Sequence, residues 1–256
     1  MKIFGIIPAR YASTRFPGKP LVRLGGYAMV EWVYRRASQA FDTVAVATDD
    51  ERIAEEVRRF GGHAVMTSPE HRSGTDRCAE ALGIMQNETG AKADVVVNIQ
   101  GDEPFVDPQT LSRLAACFDD ASTQIATVVK PFENLSDMLN PNNVKAVMTT
   151  SGRAIYFSRS AIPHIRGFSQ DEWLNRHVFY RHLGLYAYRA DVLCRLTKLQ
   201  PSPLEIAESL EQNRWLENEF CIRVIQTEGE NIAIDTPEDL VIAEKKFQVS
   251  SFKFQI

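Results

Sequence analysis

Short apolar runs alternate with segments of helical periodicity over the first half of the chain. Runs rich in β-branched residues and bounded by turn residues predict buried strands. They cover Lys2–Ile7, Thr43–Thr48, His63–Met66, Val95–Ile99 and Ile125–Val129. Segments with apolar residues on one helical face predict helices at Met29–Ala40, Glu51–Phe60, Asp76–Met85 and Pro108–Phe118. Strands and helices in this order predict an α/β fold, with a mostly parallel sheet sandwiched by helices.

The pattern changes near Lys130. From there the apolar runs are shorter and are joined by polar connections; they predict strands at Val144–Met148, Ala154–Phe157 and Leu183–Tyr188. We therefore expect a single domain, residues 1–256, that contains a smaller antiparallel subdomain at about 130–227. The segment Thr236–Gln248 predicts a closing helix, because Pro237 suits the first helical position and Thr236 with Asp239 fits a capping box.

Composition and charge narrow the classes of function. The chain has 256 residues and a net charge of −4, which argues against a general nucleic-acid-binding protein. Its four cysteines form no CxxC pair, so a zinc site is not expected. No apolar stretch is long enough to span a bilayer, and the first residues do not resemble a signal peptide. We expect a cytoplasmic protein with neither a nucleic acid nor a membrane as its partner.

A basic loop, PARYASTRFPGKPL, follows the first predicted strand. It carries Arg10, Arg15 and Lys19, with small residues between them. Ligands of open α/β sheets bind beyond the carboxyl ends of the strands, and a triphosphate needs several converging cations. The loop matches neither GxxxxGK[ST] nor GxGxxG. It therefore predicts either a polyphosphate site or a solvated basic loop, and spacing alone does not decide between them.

Two carboxylates stand at the ends of apolar runs. Asp102 lies in NIQGDEP after the strongest predicted strand, and Asp235 lies in IAIDTPEDL. Strand-end carboxylates that face a basic loop can hold Mg²⁺ against phosphate oxygens. The alternatives are an acidic turn at Asp102 and a helix cap at Asp235. A further segment, HRSGTDR, holds Ser73, Gly74 and Thr75, and its spacing alone favours a turn that caps a helix.

Together, eight segments resemble one family. They are PARYASTRFPGKPL, ATDDERI, HRSGTDR, NIQGDEP, YFSRSAIP, RHLGLYAYR, LEIAESLEQNRWLEN and AIDTPEDL, and they extend over nearly the whole chain. The family is that of the 3-deoxy-manno-octulosonate (Kdo) cytidylyltransferases, or CMP-Kdo synthetases. The resemblance implies a nucleotide-diphospho-sugar transferase-like fold whose smaller subdomain serves sugar binding and dimerisation. It also implies a homodimeric, Mg²⁺-dependent enzyme that converts CTP and Kdo to CMP-Kdo and diphosphate for lipopolysaccharide synthesis.

The resemblance also implies roles for individual residues. Triphosphate-binding positions match Arg10, Arg15 and Lys19, a cytosine-contacting turn matches Ser73, Gly74 and Thr75, and a strand-end pair matches Gln100 and Asp102. The magnesium positions match Asp102 and Asp235, and the sugar-binding positions match Arg159, His182, Glu211 and Gln212. Lys19, Arg15, Asp102 and Asp235 would be the catalytic residues.

Two departures from the family pattern bear on the acceptor. Asn213 stands where an apolar residue is expected, and Asn231–Ile234 is more apolar than the expected glycine-valine pair. They leave open whether the acceptor is Kdo or a close relative such as an 8-amino Kdo. Two wider alternatives also remain: a nucleotidyltransferase for another sugar, and a nucleotide-binding module without catalysis.

Overall fold

The chain divides into two compact units. The computed structural model describes residues 1–12, 16–229, 234 and 236–249. Unit 1 comprises residues 1–115 together with the residues from 229 onward, and unit 2 comprises Ala116–Glu228. The predicted single domain with an insertion at about 130–227 stays a prediction. Among the described helices, none combines the length and the hydropathy that a bilayer crossing requires.

Strands and helices alternate through unit 1 and intermix in unit 2. The strands are β1 (Ile3–Ala9), β2 (Arg23–Leu24), β3 (Tyr27–Ala28), β4 (Val44–Thr48), β5 (Ala64–Met66), β6 (Val95–Asn98), β7 (Ile125–Pro131), β8 (Lys145–Met148), β9 (Ala154–Ser158), β10 (Tyr180–Arg189) and β11 (Ile222–Gln226). The α-helices are α1 (Met29–Ala40), α2 (Glu51–Arg59), α3 (Gly74–Thr89), α4 (Pro108–Ala116), α5 (Leu135–Leu139), α6 (Trp173–Arg176), α7 (Ala190–Leu196), α8 (Pro203–Glu208), α9 (Glu211–Glu217) and α10 (Pro237–Val249).

The sheet of unit 1 is parallel. Its strands lie in the order β6-β1-β4-β5, with Ile6 beside Asn98 on one side and Ala45 on the other. The apolar residues of β4 and β6 are buried throughout, as expected for central parallel strands covered on both faces. Because the strands run the same way, their carboxyl ends meet at one edge. This edge positions the residues after β1 and after β6 next to each other.

The helices of unit 1 begin where local capping favours them. In α2, the carboxylate of Asp50 accepts the N–H of Arg52 at 3.0 Å, and Ile53, Ala54 and Val57 form the buried face. In α10, the backbone N–H groups of Thr236 and Asp239 donate to each other's side chains at 2.9 and 3.2 Å. The capping box predicted for the last helix is therefore confirmed.

One predicted helix was too short. The segment expected as Asp76–Met85 forms α3, which begins at Gly74 and continues to Thr89. Ser73 caps it by accepting the N–H of Asp76 at 3.1 Å, and Gly90 ends it with a φ of 66°. Serine as the cap and glycine just past the end explain both boundaries, which the apolar periodicity did not show.

Unit 2 combines antiparallel and parallel pairing. Strand β7 runs antiparallel to β10 and parallel to β11, and β8 pairs antiparallel with both β9 and β10. The sequence predicted short strands and polar connections here, whereas the structure adds the short helices α5 to α9. The predicted strand Leu183–Tyr188 is the second half of a longer strand that starts at Tyr180. The predicted fold class, a mostly parallel sheet flanked by helices with a smaller antiparallel part, is confirmed.

Candidate active site

A cavity of about 250 Å³ opens at the carboxyl ends of the strands of unit 1. Three segments build it: the residues after β1, the start of α3 and the turn after β6. Its lining consists of Pro8, Ala9, Arg10, Lys19, Pro20, His71, Arg72, Ser73, Gly74, Arg77, Gln100, Gly101 and Asp102. The edge where a ligand is expected in an open α/β sheet therefore holds a polar cavity with several cations.

The basic loop after β1 closes on itself. The N–H of Gly18 donates to the carbonyl of Tyr11 at 3.0 Å, and Gly18 has a φ of 71°. A Cβ at Gly18 would lie 3.1–3.2 Å from atoms of the Tyr11 ring. Cζ of Arg52 lies 3.4 Å from the centroid of that ring, a cation–π contact. These contacts hold the described parts of the loop, which present Arg10 and Lys19 to the cavity, whereas Arg15 lies outside the described residues.

Lys19 and Asp102 meet directly. The ammonium Nζ of Lys19 donates to Oδ2 of Asp102 at 2.6 Å, and the two side chains are 12% and 27% exposed. The pair joins the loop after β1 to the turn after β6, across 83 residues of sequence. The sequence predicted that both residues face a phosphate site, but it did not predict that they bind each other.

The turn after β6 packs tightly against β1. A Cβ at Gly101 would lie 3.0 Å from the backbone carbonyl oxygen of Pro8, so a larger residue would have to move the two backbone segments apart. Gln100 and Asp102 on either side of it line the cavity. Glu103, by contrast, is buried, with an exposed fraction of 6%. The glycine at 101 brings the predicted strand-end pair beside the basic loop.

The donor chemistry at Asp102 suits a divalent cation. A carboxylate oxygen that already binds an ammonium at 2.6 Å is a position for positive charge, and Mg²⁺ needs only one or two carboxylates besides waters and phosphates. The carbonyl of Asp102 also accepts the N–H of Ile234 at 3.0 Å. Asp235, the other predicted metal ligand, lies outside the described residues. Within the described part of the chain, no cluster of three metal-binding side chains occurs.

The helical start of α3 forms another wall of the cavity. Ser73 and Gly74 line it, and a Cβ at Gly74 would lie 3.3 Å from Cγ of Pro8, an already close contact. Thr75 is buried, with 3% of its surface exposed. The cap predicted from spacing is confirmed, and it does not conflict with a ligand role because the same residues border the cavity.

Arg77 is a cavity residue that the sequence reasoning missed. It is only 3% exposed, and its guanidinium donates to Oγ1 of Thr67 at 2.6 Å and to Oδ2 of Asp49 at 3.2 Å. Its signal was present in HRSGTDR, where Arg77 follows Ser73 by one helical turn and so lies on the same face. His71 and Arg72, in the same motif, were also missed.

Arg159, a predicted sugar-binding residue of unit 2, is held mainly by backbone carbonyls. Its Nε donates to the carbonyl of Glu208 at 2.7 Å, and its Nη1 and Nη2 donate to those of Pro141 and Ser209 at 3.1 and 3.4 Å. These bonds use three of the five N–H groups of a guanidinium. The guanidinium is thus fixed in place, and these three bonds leave two of its N–H groups.

Glu208 and Lys145 fix the backbone of Arg159, and both were missed. The carboxylate of Glu208 accepts the N–H of Arg159 at 2.9 Å and the hydroxyl of Ser158 at 2.6 Å. Lys145 is fully buried and donates to the carbonyls of Arg159 and Asn140 at 2.6 and 2.9 Å. Burial and the charge of Arg159 lower the pKa of Lys145. A lysine inside an apolar strand gave no sequence signal of this role.

His182 belongs to an aromatic cluster in unit 2. Its ring centroid lies 4.9 Å from that of Phe157 and 5.3 Å from that of Tyr186. Burial lowers the pKa of His182 to about 3, so the imidazole is neutral at physiological pH. Burial also raises the pKa of Tyr186, whose hydroxyl has no hydrogen-bond partner among the described residues.

The remaining predicted sugar residues lie at the start of α9. Glu211 is its first residue, and Gln212 is buried. Asn213, which departs from the family pattern, is fully buried and donates from Nδ2 to the carbonyl of Phe157 at 3.0 Å. Asn213 therefore anchors α9 to the end of β9, the strand that leads to Arg159.

Comparisons with known proteins agree with this arrangement. A family model described as cytidylyltransferase matches residues 4–232. A 3-deoxy-manno-octulosonate cytidylyltransferase of Parabacteroides distasonis is 56% identical over 244 residues, covering 94% of this chain and 96% of that protein. One of Geobacter metallireducens is 47% identical, covering 97% and 100%.

Solved structures of cytidylyltransferases and related enzymes also resemble this chain. A CMP-2-keto-3-deoxy-manno-octonic acid synthetase in complex with CTP superposes with a TM-score of 0.87 and 37% identity, covering 97% of this chain and 99% of that one. The structure of a protein described as a putative glucose-1-phosphate thymidylyltransferase, from Bacillus anthracis, superposes with a TM-score of 0.62 at 18% identity. At this identity the similarity supports the fold only. The chain belongs to the 3-deoxy-manno-octulosonate cytidylyltransferase family of enzymes.

Proposed function

We propose that this enzyme transfers the cytidylyl group of CTP to the 2-hydroxyl of Kdo, forming CMP-Kdo and releasing diphosphate for lipopolysaccharide synthesis. The observation that carries the proposal is the pairing of Lys19 with Asp102 inside a cation-lined cavity at the strand ends of unit 1. Family membership supplies the nucleotide and the acceptor. The cavity supplies the positive charge and the carboxylate that phosphoryl-group transfer requires.

The nucleotide is assigned to unit 1. Arg10 and Lys19, together with Arg15, neutralise the triphosphate and the charge that develops on the leaving diphosphate. Ser73 and Gly74, at the start of α3, border the space for the cytosine ring, and Gln100 lines the same cavity. Arg77 is fixed by Asp49 and Thr67, so its guanidinium adds a rigid positive charge to the wall.

Magnesium is assigned to the two carboxylates that the sequence predicted at strand ends, Asp102 and Asp235. When bound, Mg²⁺ supplies charge neutralisation at the phosphate oxygens and orientation of the attacking hydroxyl. Asp235 is not needed as a helix cap, because Thr236 caps α10. When the nucleotide binds, Lys19 exchanges its ion pair with Asp102 for one with a phosphate oxygen. The exchange is possible because the carboxylate and the phosphate are both anionic and the lysine side chain is flexible.

The sugar acid is assigned to unit 2. Arg159, pre-positioned by three carbonyls, pairs with its carboxylate, and His182, Glu211 and Gln212 bind its hydroxyl groups. We further propose that the enzyme acts as a cytoplasmic homodimer. Light scattering of the purified chain tests the dimer, and a monomer at micromolar concentration would contradict it.

The reaction is tested by incubating the protein with Mg²⁺, Kdo and each of the four nucleoside triphosphates while diphosphate release is measured. We expect turnover with CTP that far exceeds turnover with ATP, GTP or UTP. Equal or faster turnover with another nucleotide would refute the assignment of CTP. Faster turnover with 8-amino Kdo than with Kdo would change the acceptor. CTP binding in calorimetry without any diphosphate release would favour the non-catalytic alternative.

A further inference from the structure

A bulge interrupts strand β10 beside His182. Up to Leu183 the strand pairs in register with β7, opposite Val128, and the register resumes with Tyr186 opposite Thr127. The register of β10 against β7 therefore shifts by two residues at this point. The displaced carbonyl of Leu185 turns to the side chain of Thr127, whose Oγ1 lies 2.8 Å away. Bulges of this kind redirect the groups next to them and often border functional sites.

The hydroxyl of Thr127 has two partners but only one proton. It lies 2.8 Å from the carbonyl oxygen of Leu185 and 2.9 Å from Nε2 of His182. A carbonyl oxygen can only accept, so the hydroxyl proton belongs to the bond with Leu185. Nε2 of His182 must then carry a proton and donate it to Thr127. The reverse arrangement would bring the lone pairs of two oxygens together at 2.8 Å in a buried place.

We propose that Thr127 is a positioning residue that fixes His182 as the neutral, Nε2-protonated imidazole, so that Nδ1 offers its lone pair to a hydroxyl group of the sugar acid. The tautomer follows from the geometry alone. The sugar as the partner of Nδ1 rests on the proposed function. Thr127 lies on β7, outside the eight segments that carry the family resemblance, and it is fully buried.

The surroundings of the imidazole favour a neutral acceptor. The ring packs between Phe157 and Tyr186, and desolvation lowers the pKa of His182 to about 3, so Nδ1 stays unprotonated at physiological pH. The hydroxyl of Tyr186, buried and without a partner among the described residues, belongs to the same cluster. A weakly basic Nδ1 can orient a polyol by accepting a hydrogen bond. Its low basicity does not suit His182 to the role of a general base.

The tautomer is measured by nuclear magnetic resonance on the full chain labelled with ¹⁵N, without substrates. Two-bond proton–nitrogen correlations distinguish a protonated from an unprotonated ring nitrogen, and the signals of His182 are identified by their loss in His182→Gln. We expect a protonated Nε2 and an unprotonated Nδ1, unchanged between about pH 5 and 8 because desolvation suppresses protonation. A protonated Nδ1, or titration within that range, would overturn the proposal.

The positioning role is measured with a pair of variants. Thr127→Val removes the hydroxyl at nearly constant volume, and Thr127→Ser restores it. For the valine variant we expect mixed tautomers and a KM for the sugar acid raised about tenfold, which corresponds to one hydrogen bond between uncharged groups. The KM for CTP should not change, and the serine variant should recover the wild-type tautomer and most of the sugar affinity.

Other outcomes of these measurements distinguish the positioning role of Thr127 from a structural role and from the proposed function. Equal losses in kcat and in both KM values would show a structural role only and would overturn the positioning role. If the valine variant does not fold, the proposal is tested by the wild-type spectrum and by the serine variant. A serine variant that loses the Nε2-protonated form of His182 contradicts the proposal. A wild-type protein that releases no diphosphate with Kdo refutes the proposed function, while its spectrum still tests the tautomer.

Discussion

In the proposed function, Gly18 connects the backbone conformation of the basic loop to nucleotide binding, and Gly18→Ala tests this connection. The residue has a φ of 71° and closes the basic loop by donating its N–H to Tyr11. Alanine would have to adopt the left-handed conformation, and its Cβ would lie 3.1–3.2 Å from Cε2, Cζ and the hydroxyl oxygen of Tyr11. The ring cannot withdraw without loss, because Arg52 stacks on it.

The cost has two parts. A left-handed conformation costs a residue with a Cβ roughly 1–2 kcal/mol. Overpacking against a ring at these distances adds about 1–3 kcal/mol if the ring stays in place. We therefore expect Gly18→Ala to lower the free energy of unfolding by about 2–5 kcal/mol, or to displace the loop instead. Either response misplaces Arg10 and Lys19, so the affinity for CTP should fall at least about tenfold, the equivalent of ~1.4 kcal/mol.

Gly26→Ala is the matched control. Gly26 also has a positive φ, of 93°, but a Cβ there would meet no atom within 4 Å. It should lose about 1–2 kcal/mol and leave CTP binding unchanged. The free energies are measured by urea unfolding, and CTP dissociation constants by calorimetry with Mg²⁺ present. If both variants lose the same stability and both bind CTP as the wild type does, the contact with Tyr11 has no role in the site.

Three further perturbations probe the site. Lys19→Met should lower kcat/KM about 10²–10³-fold, because it removes a preorganised charge that now pairs with Asp102; a change below threefold in a diphosphate-release assay would exclude that role. Gly101→Ala should lower the free energy of unfolding by about 1–3 kcal/mol and weaken CTP binding, since the new Cβ would lie 3.0 Å from the Pro8 carbonyl; unchanged calorimetry would refute this. The pKa of His182 is about 3 in the folded chain and higher in the unfolded chain. The neutral imidazole therefore stabilises the fold fully above pH ~6.5, and the free energy of unfolding declines by about 1.4 kcal/mol per pH unit below that pH. In His182→Gln, urea unfolding should no longer show this pH dependence.

The sequence predicted the parts of the fold that rest on apolar periodicity. Helix α1 was predicted with both of its boundaries, and β1, β4 and β6 were each placed within two residues, because buried parallel strands are continuous apolar runs. Helices α7 to α9 were missed, since each has at most seven residues and too few turns to show a period. Their stability depends on specific contacts, such as the ion pair of Arg214 with Glu205.

The candidate site was predictable in its membership but not in its internal bonding. Strand ends and motifs predicted that Arg10, Lys19 and Asp102 meet at one edge of the sheet, and all three line the cavity there. Which groups bind each other depends on distances between segments far apart in sequence. Thus the Lys19–Asp102 pair and the carbonyls that hold Arg159 emerged only from the structure.

In the proposed function, the Lys19–Asp102 pair makes substrate binding a competition. Each charge already has a partner of opposite sign before the substrate arrives, so an incoming anion gains only the difference between its own attraction for Lys19 and that of the carboxylate. Small inorganic anions, which offer little more than Asp102 does, are disfavoured. A polyphosphate contacts several cations at once and can displace the carboxylate. The ion pair therefore favours ligands that carry several negative charges over ligands that carry one.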